Sequence, residues 1–389
     1  DSAQQSQATS RRLDRKYIDP ALVQYWRSYC ENHHGLECSQ PRFRLSKPLA
    51  WLIDCKKKCL VAESDGGICQ HSYVALSYVW GQTPRLKTVR ANVSAHQEEG
   101  VQCHIDQMAI IFENAVLTIV AGDGTDADHG IRGIRNISQP RVLNTVLRLT
   151  DDISLVARQG GHLSNTVWST RGWTMQESIF SRRRIEFFDN SIRWSCQQNG
   201  YFEDVDSPLD LDRNWAMVIN THSHAIDHMC LGNISTSFPN IRRYFELVQV
   251  YNSRVLTFDH DALRAFNGTL NVLQYQAFSR GFLHGLPVSF LDAALVWRPA
   301  GSFGKLRAQS LRDSAQGSLP SWTWAGWKAG IRYDLTNFNY IKSFSEVRHI
   351  YDTLFQVIPT LDWHIRTSTS PDTEPVRIPF QNEWYQWKC

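Results

Sequence analysis

The chain lacks the features that most readily place a protein in a class. No apolar run reaches the ~18 residues a membrane span requires, so no membrane partner is expected. No charge dominates: 41 Lys and Arg against 38 Asp and Glu give a formal charge of +3. That is far from the basic excess that holding a phosphate backbone demands, so nucleic acid is not expected as a partner. The nine cysteines (30, 38, 55, 59, 69, 103, 196, 230 and 389) are odd in number and too thinly spread for a secreted disulfide scaffold. No secretory signal is visible. The tripeptides Asn-x-Ser/Thr at Asn92, Asn136, Asn233 and Asn267 therefore carry no weight, and a reduced, cytoplasmic compartment is expected. The first residue is Asp1 rather than Met, which leaves a removed targeting segment open. No internal repeat or long low-complexity stretch stands out.

What is present is a globular composition: 389 residues, 42% hydrophobic and 20% charged, enough to bury a core without staples. Residues 1–16 are polar and read as a tail. From Pro20 to Cys38, Ala21, Leu22, Tyr25, Trp26 and Tyr29 recur at helical spacing, and the pattern ends at His33, His34 and Gly35. Trp51 to Val61 and Tyr73 to Tyr78 read as strands around a turn at 63–67. Ile105 to Ala115 shows one apolar helical face, and Val116 to Ala121 is a short run, apolar but for Thr118, that suits a buried strand, the order of an α/β fold. Leu143 to Ala157 predicts two strands, Thr170 to Ser181 a short helix, and Arg184 to Phe188 with Ile192 to Cys196 a hairpin across Asp189-Asn190. Past residue 200 the patterns lengthen, with helices over Ile241 to Tyr251 and Asp259 to Asn267, then an aromatic-rich stretch. The expected domains are a tail and helix (1–45), an α/β domain (46–200) and a helical, aromatic-rich C-terminal region (201–389).

Several short stretches carry chemistry. "YVALSYVWG" (73–81) offers Val74, Leu76 and Val79 as core, with Ser77, Tyr78, Trp80 and Gly81 as the rim of a site. "RGWTMQES" (171–178) places Arg171, Gly172, Trp173, Gln176 and Glu177 on or beside a short helix capped at or before Thr174. With Trp168 and Trp173 nearby, the Glu177 carboxylate loses solvation, which suits acid or base work; an ion pair to Arg171, Arg182, Arg183 or Arg184 is the simpler reading. "GDGTDA" (122–127) formally fits a dinucleotide fingerprint, but no helix follows it and three aspartates would repel a pyrophosphate, so it reads as a surface loop. Cys30-x2-His33-His34-x3-Cys38, with Cys55-x3-Cys59 downstream, has the ligand types zinc prefers in no standard spacing. Cys and His near a helix end are ordinarily packed or solvated, and no metal is assigned there or to His222, His224, His228 and Cys230. In "LPSWTWAGW" (319–327), alternation puts Trp322 and Trp324 on one face of a strand, with Trp327 close behind.

In this order, "YVALSYVWG", "MAIIFENAVLTIVAG" (108–122) and "RGWTMQESIFSRRRIEFFDNSIRWSC" (171–196) resemble the HET (heterokaryon incompatibility) domain of filamentous fungi. "YNSRVLTFDHDALRAFNG" (251–268), "GLPVSFLDAALVW" (285–297) and "PSWTWAGW" (320–327) resemble the region that often accompanies it. The resemblance runs from about residue 26 to 333. It implies an intracellular protein of fungal non-self recognition that triggers programmed cell death, through an incompatibility partner protein or self-association. Through the distant similarity of HET to TIR domains it also implies a flavodoxin/TIR-like, mostly parallel α/β sheet with flanking helices, plus a mixed α+β C-terminal region. One family block, roughly Tyr-Leu-Trp-Ile-Asp-x-x-Cys-Ile-x-Gln, has no counterpart in the polar segment 82–107. A strand and a helix are thus expected to be missing, from a lost exon or a degenerate member, with two ladder edges left unpaired.

No cofactor is assigned. If the TIR analogy holds, NAD is a substrate whose nicotinamide is already a cationic leaving group, so a carboxylate need only stabilise the ribose cation. Glu177 is the candidate for that role, with Ser77, Tyr78 and Trp80 at a strand's carboxyl end and Trp80 placed to stack on a heterocycle. The alternatives are a non-enzymatic signalling module and an inactive chain.

Overall fold

A computed structural model describes residues 9–11, 13–45, 49, 51–62, 72–81, 107–143, 146–148, 150, 154–156, 162–206, 241–276, 278–301, 304–308, 319–333, 363–365 and 376–377. The chain divides into two compact units. One comprises Asp1–Ile234 with Arg264–Gly268, the other Ser235–Leu263 with Thr269–Cys389.

The first unit opens with helix α1 (Pro20–His33), where the Asp19 side chain accepts from the Ala21 N–H and Pro20 takes the first turn. The helix ends at His33 with His34 as its cap, where the sequence pattern ends, and Gly35, at φ 61°, turns the chain into a second short helix, α2 (Gly35–Ser39). The stretch expected as one strand from Trp51 to Val61 is instead a hairpin, Trp51–Asp54 with Cys59–Ala62, because Asp54 accepts from the Lys56 and Lys57 N–H groups and closes a turn. Residues 146–148 and 154–156 pair as the expected two strands.

The central sheet has five strands: β1 (Val74–Tyr78), β2 (Leu117–Ala121), β3 (Arg183–Phe188), β4 (Ser191–Cys196) and β5 (Gly200–Phe202), in the order β5-β4-β3-β2-β1. Helix α3 (Met108–Asn114) precedes β2, while α4 (Val167–Thr170) and α5 (Gly172–Phe180) precede β3. The α/β class is as expected, but the sheet is mixed rather than mostly parallel: β1-β2 and β2-β3 are parallel, β3-β4 and β4-β5 antiparallel. The switch lies at Asp189 and Asn190, both at positive φ, which join β3 to β4 by the predicted two-residue turn. Segment 82–106 lies outside the described residues, and so does any strand in it. β1 and β2 pair directly, from Val74↔Leu117 to Tyr78↔Ala121.

One sheet face carries Ile185, Ile192, Trp194 and Tyr201 and is covered by Leu22, Trp26 and Cys30 of α1. The other carries Val120 and Phe188 against Trp168 and Leu163. Val74 and Leu76, expected in the core, are 51% and 55% exposed. They share the α1 side of the sheet with Leu117 and Ile119, but the α1 cluster extends only to those β2 residues. Val79 is buried, as expected.

The core is unusually charged. Glu186 of β3 is buried between Arg184 (2.8 Å) and Arg193. Arg141 grips both carboxylate oxygens of Glu203 (2.6 and 2.8 Å) and donates to the carbonyls of Asp14 and Tyr17, tying the N-terminal segment to the sheet. Arg182 donates to the carbonyls of Ser39, Glu113 and Ala115, so one guanidinium holds α2 and α3 together.

In the second unit, α6 (Ile241–Asn252) packs its aromatic face, where Phe245 stacks on Tyr333 at 3.7 Å and Tyr244 Oη accepts from Trp324 Nε1 (2.9 Å). With α7 (Arg264–Gln276), whose first turn belongs to the first unit, and short two-stranded ladders such as Trp297–Pro299 with Ile331–Tyr333, it is the mixed region expected. Trp322 and Trp324 are not on a strand. Thr323 caps a 3₁₀ turn at Trp324–Gly326, burying Trp324 and leaving Trp322 43% exposed. A Cβ on Gly326 would lie 2.5 Å from the Pro320 carbonyl, so this close approach needs glycine. Among the described residues no helix is long and apolar enough to cross a membrane.

Burial alone would raise the Glu186 carboxyl pKa; Arg193 and Arg184 more than offset it and hold the group below the usual carboxylate range. Its contribution to stability is therefore complete above the unfolded value of about 4.3 and is lost as pH falls below it toward the folded value. Glu186→Gln, which leaves two buried guanidiniums facing no anion, is expected to cost about 3–5 kcal/mol at neutral pH in denaturant unfolding. Its stability should also fall less steeply than wild type below about pH 4.

Candidate functional site

Ser77 stands next to last in β1, opposite Val120, on the sheet face that meets the helices. It is buried, and its hydroxyl has two partners: Oγ donates to Glu177 Oε2 and accepts from Trp168 Nε1 at 2.6 Å. One hydroxyl therefore links the carboxyl end of β1 to both α4 and α5. The indole N–H explains why a tryptophan works at 168, since a buried Trp needs an acceptor. The short link between the helices is held by Thr174, whose Oγ1 donates to the carbonyls of Trp168 (2.7 Å) and Arg171 (2.9 Å). Thr174 thus bonds back from inside α5 rather than capping it; Arg171 is the cap residue and makes no side-chain cap bond.

Of the arginines that could pair with Glu177, Arg182, Arg183 and Arg184 are engaged elsewhere. Arg182 goes to backbone carbonyls, Arg183 to the Cys30 sulfur and the Val116 carbonyl, and Arg184 to Glu186 and the Ser178 carbonyl. Indole does sit beside the carboxylate, as expected, through Trp168 and the shared Ser77. Glu177 itself is half-buried.

Beyond Ser77, Tyr78 and Trp80 stack nearly parallel (5.7 Å, 9°), and Trp80 is 64% exposed. Gly81 follows at φ 76°, and a Cβ there would lie 2.4 Å from Asp126 Cβ, so only glycine fits this turn. The 122–133 loop against which it packs is stapled by its own aspartates. Asp126 accepts from the N–H groups of Asp128 and His129, and Asp123 from that of Asp189. As read from the sequence, no helix follows this loop. A cleft beside it, lined by Asp123, His129, Arg132 and Phe188, has about 20 Å³ of room, enough for a water.

The structure gathers Ser77, Trp168 and Glu177 at one point and sends Gln176 elsewhere. Gln176 is buried and donates to the Arg264 carbonyl (3.3 Å), and a Cβ on Gly268 would lie 2.2 Å from its Oε1. Gly172 is buried, while Arg171 and Trp173 are half-buried. The bond from Trp168 to Ser77 and the contact between Gly81 and Asp126 were not anticipated from the sequence; the need of a buried indole for an acceptor was the one signal for the first. His222, His224, His228 and Cys230 lie outside the described residues.

Residues 93–177 match the family model Heterokaryon incompatibility protein (HET). No curated protein and no solved structure matches the chain. The match takes in α3, β2, α4 and most of α5, ending at Glu177, and stops short of β1, which Ser77 joins to it.

Trp168→Phe keeps an aromatic ring but removes the donor to Ser77 and part of the buried indole, and should lower stability by at least about 1–3 kcal/mol in denaturant unfolding. Gly81→Ala should destabilise by more than about 1 kcal/mol, because its positive φ and the Asp126 contact both resist a methyl group.

Proposed function

We propose that this chain, a member of the heterokaryon incompatibility (HET) family through residues 93–177, is a signalling module of fungal non-self recognition. It acts inside the cell by associating with an incompatibility partner protein or with itself, and commits the cell to programmed death. The observation that supports association over catalysis is the use of Glu177. Its carboxylate is engaged by a buried hydroxyl of the sheet, a packing role, while β1 presents Val74 and Leu76 at 51% and 55% exposure and Trp80, just past its end, is 64% exposed. Apolar side chains grouped on an edge strand are the kind of surface that protein contacts cover.

A second reading, a TIR-like NAD glycohydrolase, has one observation in its favour. Glu177 bonds Ser77 near the carboxyl end of parallel strand β1, which the stacked Tyr78 and Trp80 continue, where open α/β sheets hold their ligands. NAD would enter as substrate. Nicotinamide would leave as a neutral base, and Glu177 would stabilise the ribose cation until water adds.

Expression of wild type and Glu177→Gln in fungal cells separates the two. The glutamine keeps an oxygen for Ser77 and removes the charge. Under the association reading both arrest growth, cellular NAD is unchanged, and Leu76→Ser with Trp80→Ser abolishes arrest in a chain that still folds by circular dichroism. Nicotinamide release by purified wild type, falling ~100-fold or more in Glu177→Gln together with the loss of arrest, would overturn it in favour of catalysis.

A further inference from the structure

Four side chains that the sequence scatters over two regions converge in the first unit. Cys30 and His34 are four residues apart at the end of α1, on one helical face. Gly35, at φ 61°, turns the chain so that Cys38, in α2, comes back to them. Cys196, the last residue of β4, arrives from the sheet. The three sulfurs and one imidazole nitrogen all lie within 4.8 Å of one another, in a pocket where Cys30 and Cys38 are fully buried and His34 nearly so. A tetrahedral zinc with thiolates ~2.3 Å away separates its sulfurs by roughly 3.8 Å, so the group needs only a small contraction to close on an ion.

The geometry points to a structural zinc site formed by Cys30, His34, Cys38 and Cys196. Thiolate and imidazole ligands in a four-point cluster suit zinc above the harder cations. All four positions are protein side chains, which leaves none for water or substrate and makes the site structural rather than catalytic.

The surroundings are those a metal site requires. His34 Nδ1 faces Cys196 Sγ at 3.2 Å, and its other nitrogen, Nε2, meets the Tyr201 hydroxyl at 3.1 Å, the outer partner that fixes a ligating imidazole. The Asn199 backbone N–H donates to Cys196 Sγ (3.3 Å) and Arg183 Nε to Cys30 Sγ (3.4 Å), bonds that stabilise thiolates. Three thiolates and one Zn²⁺ carry one net negative charge, and the buried Arg183 guanidinium, which also lies 4.0 Å from Glu31, is the cation beside it. Gln198 Nε2 donates to the His34 carbonyl (2.7 Å) and pins the break after α1. Trp26, Ile192, Trp194 and Tyr201 belong to the same core cluster, which keeps the site apolar.

Two cysteines and a histidine read as packed or solvated side chains thus join Cys196 in one centre, without His33, Cys55 and Cys59. His33 turns away to the Tyr29 carbonyl, and Cys55 and Cys59 are exposed on a separate hairpin. His34 and Cys196 are 162 positions apart, so the ion would clip the N-terminal helices to the sheet across a long loop.

The test is elemental analysis of the full chain, purified without chelator and with its fold checked by circular dichroism. About one zinc per chain is expected, and replacement by Co²⁺ should give the ligand-field bands of a tetrahedral site with thiolate charge transfer. Cys55→Ser with Cys59→Ser should keep the full complement, and Cys196→Ser should lose it. Should Cys196→Ser not fold, His34→Cys decides: it should retain the metal and shift the Co²⁺ spectrum toward that of a four-thiolate site. Folded wild type holding less than about a tenth of an equivalent and taking up no Co²⁺ would overturn the proposal. So would iron in place of zinc, or a disulfide within the cluster.

Discussion

A buried hydroxyl near the end of a strand must find both a donor and an acceptor, and at Ser77 both come from the helical layer. Glu177 accepts its proton and Trp168 donates to its lone pair. Leaving either unmet would cost on the order of 1–3 kcal/mol, a large share of a typical domain's total of about 5–15 kcal/mol. The edge strand, the two short helices and the glycine turn behind them therefore share one anchor.

The same demand recurs through the first unit with charges in place of hydroxyls. Arg141 fastens the segment before α1 to Glu203, and Arg182 collects carbonyls from the ends of α2 and α3. Glu186 sits between two arginines inside the sheet. Buried ion pairs add little net stability over an apolar core, but any displaced arrangement strands a charge. Sequence and packing meet here: the run Arg182-Arg183-Arg184 resembles a solvated basic patch, yet each residue is buried with its own partners.

What could be read from the sequence follows from what is local. The hairpin turn at Asp189-Asn190, the largely apolar β2 and the periodic α1 depend on a few neighbouring residues, and the structure has them. Parallel against antiparallel pairing is not local, and the sheet proved mixed. Val74 and Leu76 alternate like core residues, but alternation reports a shared face without saying whether anything covers it. Trp322 and Trp324 also alternate, and a threonine cap with a glycine three residues on turned the backbone instead. Of the candidate site, the two blocks were visible and the bond between them was not, because Ser77 and Glu177 are 100 positions apart. Cys196 was invisible as a partner of Cys30 for the same reason.

The central claim is that Ser77 and Glu177 act as one structural joint between strand and helix. A double-mutant cycle on folding stability, with Ser77→Ala, Glu177→Ala and both together, tests it most directly. A shared joint predicts that the pair costs less than the sum of the singles, with a coupling energy of at least about 0.5–1 kcal/mol. Additive losses, with no coupling, would show that the carboxylate does not depend on the hydroxyl and would contradict the account.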